Sequence, residues 1–571
     1  MASRQNVVTR NADEHVVRTG NVHACAAVAN LIRTSFGPYG LDKMLCWEGK
    51  ERVVVSSDCA AILECLDVQH PAARVLVQMA LAQKQELGDG TATVVILAAE
   101  LLRRGHALIV AIGVHPALVI NGFRRAMREA VKFLKLSLAV TSSPDNAKVQ
   151  EIVLSAAATA LSSKILGSAS SPSSGDRQFF AKMAVDAVLT TRVIKPDDEH
   201  DVPLGHRFNQ KHIHILKLPG KSIRESALVH GYVLNYPRAS PSMLLRAAPA
   251  KIAFLDISLQ QRGLQNGARF ECTDPGKLGD VAASEIRILL NKAASIIKSG
   301  ANVVLVTGGI HEAVLSQLIK ARVMACRRVA IRDLKRAARA CGGAVQYSLA
   351  DSVGDENFDS AGLGFAEEVA VERIQDAEVL MVKGGRVGSS RTVLLRGPNA
   401  AVLDEMARGF EDATNVVRNV LQTGSYVPGA GATEMAMSVY LEKLASVMLS
   451  REQLAVNEFA MALTKVPKQL AENSGLDAAD LVAKLRSLHF AAQTHSKYDH
   501  CKHFGLSLER GKVADSIQRG ILEPTACKVR AMQYATEAAV TILRVDTIWR
   551  IPRSNVEQRS REDHDNDEGT G

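Results

Sequence analysis

Three residues, Gly88-Asp89-Gly90, separate two stretches whose apolar residues recur every three or four positions, 70–86 and 91–104. That period predicts a helix on each side. The connection must then be a tight turn, which glycine allows because without a Cβ it tolerates positive φ and close backbone approach. Thr91 is expected to cap the second helix, ahead of the run Val94-Val95-Ile96-Leu97-Ala98-Ala99. Unpaired N–H groups and the positive end of the helix dipole would face outward there. Such a terminus accepts an anion, most often phosphate. Asp89 adds a hard oxygen where a phosphate-bound Mg2+ would sit. An ordinary Asp-Gly turn explains the same residues, so a nucleotide site follows only if other parts of the chain converge on it.

With 571 residues the chain is long enough for several domains and a large core. Its composition, 47% hydrophobic, 4% aromatic and 23% charged, is that of a soluble globular protein. Charge interrupts the longest apolar stretches well short of a membrane span. Residues 1–20 are polar and unlike a signal peptide, so the expectation is a cytoplasmic protein with no membrane partner. The nine cysteines include no C-x-x-C pair, which argues against a zinc site or a disulfide framework. The net charge of +9 is mild, and the densest basic stretch runs from Lys320 through Arg327, Arg328, Arg332, Lys335 and Arg336 to Arg339. Without interleaved aromatics this reads as a solvated helix face, and no specific nucleic acid is expected.

Along the chain the pattern is helical, then mixed, then helical again. Residues 1–20 read as a polar lead-in, followed by a helix over 21–36 that stops at Gly37-Pro38. A β-branched run at 52–55 precedes Ser56-Ser57-Asp58, where Asp58 is expected to N-cap a helix over 59–66. Helices follow at 116–136 and 148–161, and a Ser/Gly/Pro segment at 168–175 reads as a mobile connection. Between 212 and 341, strands at 212–216, 227–234, 252–257, 302–306 and 328–331 alternate with helices at 283–298, 311–320 and 332–341. That alternation predicts an α/β domain, with an exposed excursion over 260–280. Strands at 378–382 and 392–395 lead into a helix over 401–421. On that helix Asp412 lies four residues after Arg408, and a surface ion pair accounts for it locally. A second glycine turn, Pro428-Gly429-Ala430-Gly431, opens another helix, and the last helix is expected over 536–549. Residues 554–571 are charged and nearly free of apolar side chains, which reads as disorder. The two helical flanks are expected to close into one domain, with the α/β portion inserted.

Several motifs resemble those of the group II chaperonins, the cytosolic TCP-1 ring complex and its archaeal relatives, the alpha subunits most of all. They are Gly40-Leu41-Asp42-Lys43-Met44-Leu45, Gly88-Asp89-Gly90-Thr91, Cys326-Arg327-Arg328-Val329, Arg332-Asp333-Leu334-Lys335-Arg336 and Ser450-Arg451-Glu452-Gln453-Leu454-Ala455. The likeness runs from about residue 20 to about 550. It implies a multidomain α and α/β chaperonin-like fold. An equatorial domain would take 21–142 and 405–553, an intermediate domain 143–214 and 373–404, and an apical substrate-binding domain 215–372.

The resemblance also implies site roles. Gly37 and Pro38, with Gly88, Asp89, Gly90, Thr91, Ala92 and Thr93, match phosphate loops, Asp89 being the Mg2+ ligand. Asp58 matches a carboxylate that places the attacking water, and Asp412 the general base. Ser163 and Lys164 match the segment that senses the γ-phosphate. Gly429 and Gly431 lie beside the nucleoside, with Glu523 and Lys528 near the ribose and base. The implied cofactors are ATP and Mg2+. The implied partners are related subunits in a hetero-oligomeric double ring and non-native protein clients such as actin and tubulin.

Three positions depart from the family pattern: Cys59, Ala92 and Ala430 each add a side chain or lose a donor near the nucleotide. One lost neutral hydrogen bond costs about 0.5–1.5 kcal/mol, enough to weaken binding without abolishing it. A Cβ at Cys59 or Ala430 costs more if the backbone there needs positive φ. Because Asp58, Asp89 and Asp412 are all present, hydrolysis is expected. The alternative is a non-hydrolysing chaperonin-like scaffold.

Overall fold

The computed structural model describes residues 14–46, 53–141, 146–167, 174–191, 208, 212–260, 278–349, 358, 360–374, 377–385 and 391–549. The chain divides into two compact units. One joins residues 1–142 with 425–571, and the other holds 143–424.

The first unit opens with α1 (Glu14–Arg33) and a hairpin of β1 (Lys43–Cys46) and β2 (Val53–Ser56). Four helices follow: α2 (Cys59–Cys65), α3 (Pro71–Leu87), α4 (Thr91–Ala111) and α5 (Pro116–Phe133). A π-helical turn at Leu134–Leu138 then leads to β3 (Val140–Thr141). Part of the stretch read as a polar lead-in is therefore helix. It belongs there because Val17, Val22, Cys25, Val28 and Ile32 form one buried stripe.

The second unit begins with α6 (Asn146–Leu161) and α7 (Ser174–Leu189). Five strands come next: β4 (Ile213–Pro219), β5 (Ala227–His230), β6 (Tyr232–Leu234), β7 (Arg246–Ala247) and β8 (Ala250–Leu255). Helices and strands then alternate through α8 (Leu278–Lys298), β9 (Val303–Val306), α9 (Glu312–Lys320), β10 (Met324–Cys326), α10 (Ile331–Cys341) and β11 (Val345–Gln346). The unit ends with β12 (Gly364–Ile374), β13 (Ala377–Gly385), β14 (Arg391–Gly397) and α11 (Ala400–Thr423).

The chain then returns to the first unit through β15 (Ser425–Pro428), α12 (Ala432–Val447), α13 (Glu452–Leu463), α14 (Lys465–Asn473) and α15 (Ala478–Thr494). It finishes with β16 (Phe504–Ser507), β17 (Lys512–Asp515), β18 (Leu522–Pro524) and α16 (Thr525–Leu543).

Small side chains let the helices of the first unit pack closely. Ala98 and Leu101 of α4, Phe123 and Ala126 of α5, Val456 and Phe459 of α13, and Ala535 and Ala538 of α16 share one core. Phe123 and Phe459 meet edge to face, with ring centroids 5.8 Å apart. Such a pair adds about 0.5–1.5 kcal/mol beyond burial.

The second unit is organised by a sheet with strand order β10-β9-β8-β12-β13-β6. Strands β8, β9 and β10 are parallel, and β12 and β13 run antiparallel. Ile252, Phe254, Val303 and Leu305 point to one core with Leu334 and Ala337 of α10. Ala253, Leu255, Val304 and Val306 point to the other core with Leu289, Ala293 and Val314 of α8 and α9. Burial on both faces explains why these strands read as continuous apolar runs. Helix α10 buries Leu334, Ala337 and Cys341 while exposing Arg332, Lys335, Arg336 and Arg339, so the basic stretch is a solvated helix face there.

Several expected elements differ. The strand expected at 328–331 is β10, a few residues earlier; Arg328 takes φ 57° and Ile331 already begins α10. The single strand expected at 227–234 is two, pairing with β14 and β13 respectively. Gly231 breaks it at φ 137°, where a Cβ would lie 2.0 Å from the Val382 carbonyl. The last helix starts at Thr525 and ends at Leu543, earlier at both ends than the apolar spacing suggested. Residues 405–424 group with the second unit because α11 packs on α6, α7, β4 and β14. Of the segment 168–175, Ser174 and Gly175 are the first residues of α7. Residues 168–173, most of the excursion over 260–280 and the tail 554–571 lie outside the described residues. No helix among the described residues is long and apolar enough to cross a membrane.

Candidate functional site

The Gly88–Gly90 turn joins α3 to α4 through two left-handed residues. Gly88 (φ 78°) is the C-cap of α3, and Gly90 (φ 85°) is the N-cap of α4. The cap expected of Thr91 is not made: Thr91 is the first helical residue, is buried, and no side chain caps α4. The first-turn N–H groups of Thr91, Ala92 and Thr93 therefore have no intrahelical partner, the condition for an anion site. Asp89 Oδ1 accepts the Gly90 N–H at 2.7 Å and so braces the turn. Behind it, fully buried Gln83 donates from Nε2 to the Asp89 carbonyl at 2.8 Å.

A second glycine turn is built the same way. Gly431 (φ 77°) is the N-cap of α12, again with no side-chain cap. Ala430 beside it also takes a left-handed conformation, φ 56°. The turn is pinned by the Gly429 N–H, which donates to the Ile521 carbonyl at 2.9 Å. Side chains leave no room at either glycine: a Cβ at Gly429 would lie 2.8 Å from Glu523 Oε1, and one at Gly431 2.6 Å from Pro467 Cβ.

Ion pairs tie the second turn to the start of α16. Lys528, near the start of α16, has a side chain only 10% exposed, with its ammonium 2.6 Å from Glu434 Oε1 and 2.7 Å from Glu523 Oε2. Burial alone would lower its pKa, but the two carboxylates outweigh that and raise it. Burial pushes the Glu523 carboxyl up; Lys528 pulls it back, and the nearby charges of Glu434 and Asp89 raise it further. Asp89, Glu434, Glu523 and Lys528 thus share one electrostatic neighbourhood. Glu434 was missed in the sequence, although its place in the first turn after Gly431, where a carboxylate favours the helix dipole, was a usable signal.

The Gly37-Pro38 loop reaches the same region through α14. Gly37 (φ 87°) has room for a Cβ only 2.6 Å from Leu470 Cδ2, three residues along α14 from the Pro467 that meets Gly431. Asn473, at the end of α14, donates from Nδ2 to the carbonyls of Arg33 and Phe36, both at 2.7 Å. Asp58 occupies the N-cap position of α2, as expected, but its side chain does not cap the helix. It is buried and pairs with Lys84 Nζ at 3.3 Å, while its backbone N–H donates to Ser56 Oγ.

These residues suit a phosphate-bound Mg2+, which is usually held by one or two carboxylates together with phosphate oxygens and water. Among the described residues no group of three or more His, Cys, Asp and Glu forms an all-protein cage.

The second unit holds an ion pair of its own. Asp412 is buried on α11, and its Oδ2 lies 3.0 Å from the ammonium of Lys164, also buried. The surface pair with Arg408 does not form; Arg408 bonds Glu405 instead. Gly409 makes the room, since a Cβ there would lie 3.3 Å from Lys164 Cβ. Ser163 precedes Lys164 and donates its hydroxyl to the Ala160 carbonyl.

A sequence model of the TCP-1/cpn60 chaperonin family matches residues 28–551. The chain belongs to this family. It is similar to T-complex protein 1 subunit alpha of Dictyostelium discoideum, 44% identical over 93% of this chain and 93% of that protein. The subunit of the same name from Arabidopsis thaliana is 43% identical over 94% of this chain and 95% of its own length. A thermosome subunit beta of Archaeoglobus fulgidus is 36% identical over 92% and 91%. Chaperonin membership of alpha type thus rests on nearly the whole chain and extends well beyond the glycine turns.

Proposed function

We propose that this chain is a subunit of an ATP-dependent chaperonin and hydrolyses MgATP at the convergent glycine turns of the first unit. The observation that carries the reading is the pair of uncapped helix N-termini, α4 and α12, each entered through left-handed residues, with the charge of Asp89 felt at Glu523 in the Glu434, Glu523 and Lys528 cluster. In this reading the first-turn N–H groups of α4 bind the phosphates, and Asp89 holds the Mg2+ that neutralises their charge. Gly37 and Pro38 close the phosphate side, and Thr93 supplies a hydroxyl. Gly429 and Gly431 let the backbone approach the nucleoside, with Glu523 on its polar edge and Lys528 keeping Glu523 in place. Asp58 orients the attacking water. By the family resemblance, Asp412 is the general base and Lys164, following Ser163, the lysine that senses the γ-phosphate.

The remaining parts of the proposal follow the family resemblance. The first unit is the equatorial domain, and the second contains the intermediate and apical domains. The chain works in the cytoplasm within a double ring of related subunits, on non-native clients that include actin and tubulin. The test is MgATP hydrolysis by the assembly isolated through this chain, wild type against Asp412→Asn. A fall of about 10²–10³-fold in this chain's turnover, with nucleotide still bound, is expected for loss of a base. Unchanged turnover would favour the non-hydrolysing scaffold.

A further inference from the structure

The last turn of α3 is bonded to both loops that flank the phosphate site. Gln83 donates to the Asp89 carbonyl at 2.8 Å and to the Cys527 carbonyl at 3.4 Å. Lys84, next along the helix, does more. Its carbonyl accepts the Gly88 N–H at 2.9 Å, and its ammonium lies 3.3 Å from Asp58 Oδ2. One residue therefore holds the phosphate turn through its backbone and the Asp58 carboxylate through its side chain.

The ion pair also settles a competition. Asp58 sits at the N-cap of α2 in an extended conformation (φ −72°, ψ 115°), where an aspartate carboxylate ordinarily accepts an N–H of the first helical turn. Here the carboxylate makes no such cap and is paired with Lys84. Loss of the ammonium would favour the ordinary N-cap arrangement, in which the carboxylate turns toward the first N–H groups of α2.

We propose that Lys84 is a positioning residue for ATP hydrolysis, holding the Asp58 carboxylate out of its helix cap and at a fixed place relative to the Gly88–Gly90 turn. The proposal rests on the reading of Asp58 as the carboxylate that orients the attacking water. Misplacing a reacting group by an ångström costs up to about a hundredfold in rate, so a change in the direction of one carboxylate is enough to matter. Binding of MgATP depends on the glycine turns and not on Asp58, so affinity and rate should separate.

The experiment compares Lys84→Met, Lys84→Arg, Asp58→Asn and the double variant Lys84→Met/Asp58→Asn. Each is made in the full chain and isolated in its assembly, with Asp412→Asn assemblies as the hydrolysis background. Lys84→Met should lower kcat about tenfold and leave KM for MgATP within about twofold. Lys84→Arg should recover most of the rate, because a guanidinium can pair with the same carboxylate. In the Asp58→Asn background, Lys84→Met should have no further effect, since the residue acts only through Asp58. A tenfold loss that persists in that background overturns the proposal, as does a raised KM with kcat intact, which would make Lys84 a phosphate ligand. A melting temperature that falls with kcat, and an arginine variant that recovers neither, would also overturn it by making Lys84 merely structural. If Asp58→Asn alone leaves kcat unchanged, the reading of Asp58 has failed, whatever Lys84 does.

Discussion

Replacing Lys528 with methionine removes the ammonium that bridges Glu434 and Glu523, at 2.6 and 2.7 Å. Both carboxylates would then stay behind beside Asp89, whose charge already pushes Glu523 up. Breaking a buried ion pair from one side costs about 3–5 kcal/mol, because the remaining charge is left without compensation. For a domain of this size each kcal/mol moves the melting temperature by about 2–4 °C, so Lys528→Met should melt about 6–20 °C lower near pH 7. The pH dependence identifies the cause. A carboxyl whose folded pKa is raised binds more protons folded than unfolded, so the folded state gains stability as pH falls. In Lys528→Met the deficit should therefore shrink as pH falls, because Glu523, whose carboxyl is pushed up, takes up a proton and no longer needs the ammonium. Circular-dichroism melts from pH 5 to 8 would show this. Adding Glu434→Gln to Lys528→Met should restore part of the loss at pH 7. A deficit below about 2 °C, or one independent of pH, would refute the argument that charge compensation is what Lys528 supplies.

Three other perturbations have clear signs. Ala430→Gly should stabilise, since a non-glycine residue at φ 56° costs about 1–2 kcal/mol and only part is offset by the greater unfolded-state freedom of glycine. A melting temperature one to three degrees higher, roughly, is the expected readout. Gly90→Ala should weaken MgATP binding several-fold, because φ is 85° and the new Cβ would stand 3.0 Å from Gln83 Nε2, the group that braces Asp89; equilibrium titration with a fluorescent ATP analogue would measure it. His489 is buried, and desolvation lowers its pKa to about 4. Its neutral ring thus contributes stability above about pH 6.5 that is lost as pH falls toward 4, about 2 kcal/mol by pH 5. His489→Gln should remove that part of the acid sensitivity in denaturant melts.

Much of the fold was legible because period and length carry it. Helices α3, α5, α6 and α11 fall within a few residues of the apolar pattern, α4 runs seven residues beyond it, and the buried strands β8 and β9 appear as apolar runs. Errors arose where tertiary pairing overrode local propensity. Arg328-Val329-Ala330-Ile331 has strand-like composition, yet Arg328 must turn at φ 57° so that α10 can begin at Ile331. For the site, glycine spacing revealed the turns but not what their neighbours do. Asp58 and Asp412 each looked like ordinary local features, an N-cap and an i to i+4 surface pair. Each is instead buried against a lysine remote in sequence, Lys84 or Lys164. No local rule reports a partner that folding supplies, which is also why Glu434 was missed.

The three departures around the nucleotide turns are now unequal. Cys59 is the first residue of α2 and does not take positive φ, so its Cβ costs no backbone strain. Ala92 lies in the uncapped first turn of α4, whose free donors are backbone N–H groups, so a missing side-chain hydroxyl leaves that array whole. Ala430 alone pays, because it is held left-handed between Gly429 and Gly431 while its carbonyl accepts the Leu506 N–H at 3.0 Å. A turn that keeps a strained alanine does so because the surrounding contacts fix it: Glu523 crowds Gly429, Pro467 crowds Gly431, and β16 holds the carbonyl between them. The strain is about 1–3 kcal/mol, smaller than the charge compensation at Lys528. Of the three departures only Ala430 therefore weakens a glycine turn, and it does so without dismantling it, while Asp58 and Asp412 stay paired with Lys84 and Lys164.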